Sequence, residues 1–178
     1  PALLAARGPL VAKARACGIA CASIRNQFHF AALWHEVEAL ATEGLLAFAF
    51  VNSNSFVAHY GGTTKLYGTN PLAFACPRLA PNPPPVFDMA TAAMAGGEIM
   101  VALRDGHSIP EGVAVDAGGA PTTDPQAALD GAQLAFGAHK GSCLAMMVEL
   151  LAAGLTGSSF AFQARILCIT LMHEWRSF

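Results

Sequence analysis

The chain has 178 residues, 54% of them hydrophobic and only 12% charged, with a formal charge of −2. So apolar a composition excludes an intrinsically disordered chain, and the lack of excess positive charge argues against nucleic acid as a partner. No run approaches the ~20 apolar residues of a spanning helix, because Glu149 cuts the stretch Leu144 to Leu155, so a chain outside the membrane is expected.

Ala2 to Cys17 alternates Ala and Leu with spaced basic residues and reads as a helix that Gly18 stops. Ile19 to Ile24 is short, apolar and strand-compatible. A second helix is expected from Ala31 to Glu43, with Leu33, Val37 and Leu40 on its apolar face and Gly44 as its end. Leu45 to Val51 reads as a strand buried on both faces. Leu72 to Ala75 and Val86 to Met89 are two further strands, joined by an exposed loop whose five prolines cannot donate ladder hydrogen bonds.

Thr91 to Leu103 favours a helix despite the Gly96-Gly97 pair, which costs about 1 kcal/mol per glycine relative to alanine. Gly106 to Gly119, with Val113 and Val115, suggests a hairpin, and Asp124-Pro125 supplies the N-cap and first-turn proline of a short helix to Leu129. The strongest helix runs from Lys140 to Leu155, with Leu144, Met147, Val148, Leu151 and Leu155 on one stripe, Glu149 on the polar face and Gly157 as terminator. Helices alternating with apolar strands predict an α/β fold, a mixed sheet flanked by helices.

The search for chemistry is mostly negative. No GxGxxG joins a strand to a helix, Gly137-Ala-His-Lys140-Gly-Ser142 lacks the GKS order of a phosphate loop, and no GxSxG elbow occurs. Six histidines without HxxxH or HExxH spacing and five cysteines (Cys17, Cys21, Cys76, Cys143, Cys168) without a CxxC pair suggest no metal site and no disulfide framework. Such cysteine usage suits a reducing, cytoplasmic compartment.

Two histidines do stand where helices begin. His29-Phe30 precedes the helix from Ala31, and His139-Lys140 opens the strongest one. Free N–H groups and the partial positive charge of a helix start could hold a phosphate at either place, with Lys140 adding a full charge; the plainer alternative is a pair of ordinary polar helix entries. Glu98 is an acid set among Ala, Met and Gly, where a carboxyl could lose its hydration, although taken by itself it reads as a surface residue.

Five blocks in order carry a resemblance: His29-Phe-Ala-Ala-Leu-Trp34, Tyr67-Gly-Thr-Asn-Pro-Leu-Ala-Phe74, Phe87-Asp-Met-Ala-Thr91, Gly137-Ala-His-Lys-Gly-Ser142 and Met146 to Gly157. They resemble the malate/L-lactate dehydrogenase-like family of NAD(P)-dependent oxidoreductases, over roughly Ala2 to Phe162. The form His-Phe-Ala-Ala-Leu-Trp looks most like the branch that reduces Δ1-pyrroline-2-carboxylate and Δ1-piperideine-2-carboxylate to L-proline and L-pipecolate.

The resemblance implies a non-Rossmann fold that binds NADPH or NADH without a GxGxxG fingerprint. It implies cofactor contacts from His29, Phe30, Ala31, Ala32 and Leu33, from Phe87, Asp88 and Met89, and from His139 and Lys140. Thr69 would touch the substrate, a small cyclic imino acid or 2-keto acid, and Ala95, Gly96 and Gly97 would line its pocket. Glu98 falls where the family carries an Asp that orients the proton-donating histidine; here the acid is one methylene longer, and Gly96 replaces a customary His.

By the same resemblance the family's Ser-His pair and a substrate-binding Arg would precede Pro1, and residues 163–178 cease to look like the family. The expectation is therefore a truncated chain: a central cofactor-binding portion over residues 1–162, a tail unlike the family, and weak turnover in isolation. The alternatives are a 2-hydroxy acid dehydrogenase or a non-catalytic cofactor-binding remnant. Family members are typically homodimers.

Overall fold

A computed structural model of the chain describes residues 2–25 and 31–163. Helix α1 (Ala2–Cys17) is followed by α2 (Trp34–Ala41), then strands β1 (Ala47–Phe50), β2 (Val57–Ala58), β3 (Lys65–Tyr67), β4 (Leu72–Ala75) and β5 (Val86–Met89). Helix α3 (Gly96–Asp105), β6 (Ala114–Val115), α4 (Pro125–Asp130), β7 (Ala132–Gln133) and α5 (His139–Glu149) complete the regular elements, with a π-helical turn at Leu150–Gly154 and a 3₁₀ turn at Ala161–Gln163.

The strands divide between two sheets. One is antiparallel in the order β1-β4-β5; the other is mixed, in the order β3-β2-β7-β6, with β2 and β7 parallel. In the first sheet Phe48 faces Phe74 and Phe74 faces Phe87, so one face carries aromatic side chains and the other carries Ala47, Ala73 and Ala75. Small residues on that second face let α2 approach closely, and Leu33, Val37 and Ala41 bury themselves against it. A second core gathers Ile99, Ile109, Val113, Ala114 and Ala128 between α3, α4 and β6, and a third joins Ala58, Val115 and Ala132.

Several sequence expectations hold to the residue: α1, β4, β5 and the proline-rich loop between them. Asp124 caps α4, accepting from Gln126 N–H at 2.8 Å. Others need correction. Ile19 to Ile24 forms no strand, because no neighbouring strand pairs with it and Ile19 is exposed. β1 is buried on its alanine face alone; Phe48 is 54% exposed and stacks on Phe50 and Phe74. α2 is shorter than expected and stops at Ala41, before a turn that ends at Gly44.

α3 begins at Gly96, not Thr91, so the glycine pair occupies its first turn, where glycine costs least. The hairpin contracts to a bridge between Val115 and Pro121 across a turn in which Asp116 Oδ1 accepts from Gly118 N–H and Ala120 N–H, both at 2.9 Å. In α5 the buried stripe is Gly141, Ser142, Ala145, Val148 and Glu149, while Leu151 and Leu155 are exposed. The π-helical turn explains the end of that stripe: one extra residue per turn rotates the later positions by roughly 100° and brings Ala153 inward instead. Among the described residues, no helix is long and apolar enough to cross a membrane.

Candidate active site

The site is built where the segment after β5 crosses between the two sheets. Thr69 carries its carbonyl into this crossing, where it accepts from Thr91 N–H at 2.8 Å and Thr91 Oγ1 at 2.9 Å. The same segment then zips onto the strand that leads into α5: Phe136 N–H donates to Thr91 O and Ala93 N–H to Leu134 O. Thr69, the end of β5 and the start of α5 are thus joined through Thr91 by consecutive hydrogen bonds.

The turn into α5 is strained. Gly137 has φ 56° and Ala138 has φ 57° with ψ −122°, a region that a Cβ disfavours. A Cβ on Gly141 would lie 2.1 Å from Phe136 O, so only glycine lets the chain fold back this tightly. The N–H groups of Lys140, Gly141 and Ser142 bond back to Gly137 O, Phe136 O and Ala138 O, so this helix start presents chiefly the exposed side chains of His139 and Lys140. Tyr60 abuts it: its N–H donates to Ser142 Oγ at 3.0 Å and its ring meets His139 edge-on at 5.8 Å.

The β5 residues diverge. Phe87 and Met89 lie on the open aromatic face, whereas Asp88 turns to the other side and accepts from Trp34 N–H at the start of α2, at 2.9 Å. Ala31 and Ala32, just before α2, are exposed, and the Leu33 side chain is core. His29 and Phe30 lie outside the described residues. Ala95 and Gly97 are exposed and Gly96 half-buried, beside Gln133 Nε2. Glu98 is exposed and accepts from Ala95 N–H at 3.1 Å through Oε2, the surface reading of that acid.

Sequence reasoning missed Asn70 and Glu149. Asn70 is fully buried in left-handed conformation (φ 40°), and its amide donates to Ala145 O at 2.9 Å and Glu149 Oε1 at 3.0 Å. Glu149 is therefore inside, contrary to its expected polar-face position, because the small residues Gly141, Ser142 and Ala145 bring this side of α5 against the Thr69 loop. Tyr67, at the mouth of this loop, has its phenol pushed above the usual tyrosine value by burial, then by the Cys143 thiol and Glu149 nearby. An apolar cleft of about 130 Å³ opens beside it, lined by Leu66, Met146, Leu150, Phe160 and Phe162.

The chain belongs to the malate/L-lactate dehydrogenase family, whose profile matches residues 2–168. It is 58% identical over 164 residues to a Δ1-pyrroline-2-carboxylate/Δ1-piperideine-2-carboxylate reductase of Pseudomonas putida, covering 92% of this chain and 48% of that protein. It is 50% identical over 151 residues to a (2R)-3-sulfolactate dehydrogenase (NADP(+)) of Chromohalobacter salexigens, covering 85% of this chain and 45% of that protein. The crystal structure of Δ1-piperideine-2-carboxylate reductase from Pseudomonas syringae superposes with a TM-score of 0.89 at 52% identity, covering 93% of this chain and 50% of that one. The chain spans about half the length of these relatives.

Proposed function

We propose that the chain is the central cofactor-binding portion, over residues 1–162, of an NAD(P)H-dependent reductase that converts Δ1-piperideine-2-carboxylate or Δ1-pyrroline-2-carboxylate to L-pipecolate or L-proline. The observation that carries this reading is the 58% identity to a reductase of that name across nearly the whole chain. The start of α5 supports a dinucleotide site: beside a turn closed by Gly141, the exposed His139 side chain and the Lys140 cation would offer donors to a phosphate. His139 and Lys140 would hold it there, Ala31, Ala32 and the open face of Phe87 and Met89 would border it, and Asp88 would act by fixing the start of α2. When bound, the reduced nicotinamide supplies a hydride to the imine carbon.

The protein's part is binding and orientation. Thr69 would meet the substrate from a loop whose carbonyl is doubly held by Thr91, a preorganised support for orienting it. Ala95, Gly96 and Gly97 would border the pocket with little side chain in the way. Glu98 has Oε2 engaged by Ala95 N–H, which leaves Oε1 to orient the group that protonates the imine nitrogen. The whole protein would act in the cytoplasm as a homodimer.

The 50% identity to a sulfolactate dehydrogenase supports a second reading, a 2-hydroxy acid dehydrogenase. Calorimetric titration of the NADPH-saturated protein with L-pipecolate, L-proline, L-malate and L-lactate decides between them. Tightest binding of the cyclic amino acids is expected; tightest binding of a hydroxy acid overturns the imine reading in favour of the second.

A further inference from the structure

Glu149 is 4% exposed, and its two carboxyl oxygens serve different elements. Oε1 accepts from Asn70 Nδ2 at 3.0 Å and Oε2 from Ala161 N–H at 3.1 Å. Neither ion pair among the described residues involves it. Burying an acidic side chain this way is a poor device for stability, since apolar packing of the same volume generally does as well or better. What the arrangement does achieve is local. Both amide hydrogens of Asn70 are committed to α5, one to Ala145 O and one to Glu149. Asn70 is held left-handed between Thr69 and Pro71, and a Cβ on Gly68 would strike its Oδ1 at 2.6 Å, so the loop has little room to relax.

We propose that Glu149 is a positioning residue that, by gripping the Asn70 amide from inside α5, holds the Thr69 loop in place and so sets affinity for the imino acid. The inference rests on the proposed role of Thr69 at the substrate. It separates the two ends of α5: His139 and Lys140 lie about ten residues from Glu149, about 15 Å along a helix, so cofactor affinity is not governed by the clamp.

Glu149→Gln keeps the size but must turn an N–H toward one of its two donors, and Asn70→Asp breaks the same bond from the other side, together with the one to Ala145 O, while tolerating the left-handed backbone. Each is expected to weaken L-pipecolate binding about tenfold, with NADPH and NADH dissociation constants changed by less than about twofold. Combining the two substitutions reverses the bond to position 149, with the new amide there donating to the new carboxylate at position 70, while Ala145 O stays without its donor, so the double variant is expected to bind L-pipecolate better than Asn70→Asp alone without reaching the unaltered protein. Equal weakening of L-pipecolate and cofactor in both single variants, no weakening of either, or a double variant as poor as the sum of the singles overturns the clamp. Loss of folding in the singles without recovery in the double also overturns it. Unaltered protein that binds neither ligand contradicts the proposed function itself, whereas protein that binds cofactor but not L-pipecolate contradicts the role of Thr69 and the clamp with it.

Discussion

Within the turn that opens α5, two residues of similar size carry opposite constraints. Ala138 occupies a left-handed conformation that its Cβ resists, so Ala138→Gly is expected to stabilise the fold by about 1 kcal/mol. Gly141→Ala would drive a methyl into Phe136 O and is expected to cost about 1–3 kcal/mol. Urea unfolding of both variants checks the opposed signs. Tyr67 gives a test in pH. Its phenol ionises above the ordinary tyrosine value of 10.0, so the folded state keeps a proton that the unfolded state releases. The associated stability is complete below pH 10 and is lost as pH rises from there through the raised value. Absorbance titration is expected to show a phenolate transition above pH 10 that disappears in Tyr67→Phe, and unfolding midpoints that fall less steeply with alkaline pH in that variant. None of these three residues stood out by type or period: strain and burial are tertiary facts, and an alanine in the wrong part of backbone space looks like any other alanine.

At the scale of elements, β5 and α2 are tied by the bond from Trp34 N–H to Asp88, a carboxylate serving a helix start. Asp88→Ala is expected to cost about 1 kcal/mol in urea unfolding, and Asp88→Asn, which keeps an acceptor, less. If the two variants are equally destabilised, the hydrogen bond is not what Asp88 contributes. The elements most legible in the sequence were those with hard punctuation: β4 between Pro71 and Pro77, β5 after Pro85, α4 behind Asp124-Pro125, α1 before Gly18. α5 was found but its face was misjudged, because hydrophobic periodicity weights Leu151 and Leu155 above the small residues Gly141, Ser142 and Ala145 that make the close contact. Ile19 to Ile24 failed for a different reason, since a strand needs a partner and sequence pattern does not supply one.

Across the whole molecule, the α/β expectation resolves into two sheets joined by the segment from Thr91 to Ala93, and it is this joint that collects Thr69, the end of β5 and the start of α5. Two of the helix-start residues singled out from sequence, His139 and Lys140, stand exposed at the start of α5, and Glu98 is exposed with one carboxyl oxygen engaged by its own helix turn. The proposed cofactor role of the chain concentrates on Lys140, whose charge-assisted contact with a phosphate would be worth about 1.5–3 kcal/mol. The most direct measurement is a fluorescence titration of NADPH, and in parallel NADH, into the chain and its Lys140→Ala variant. Saturable binding of a reduced nicotinamide dinucleotide, weakened about tenfold or more by Lys140→Ala, is the predicted result; no saturable binding of either, or unchanged affinity in the variant, would contradict it.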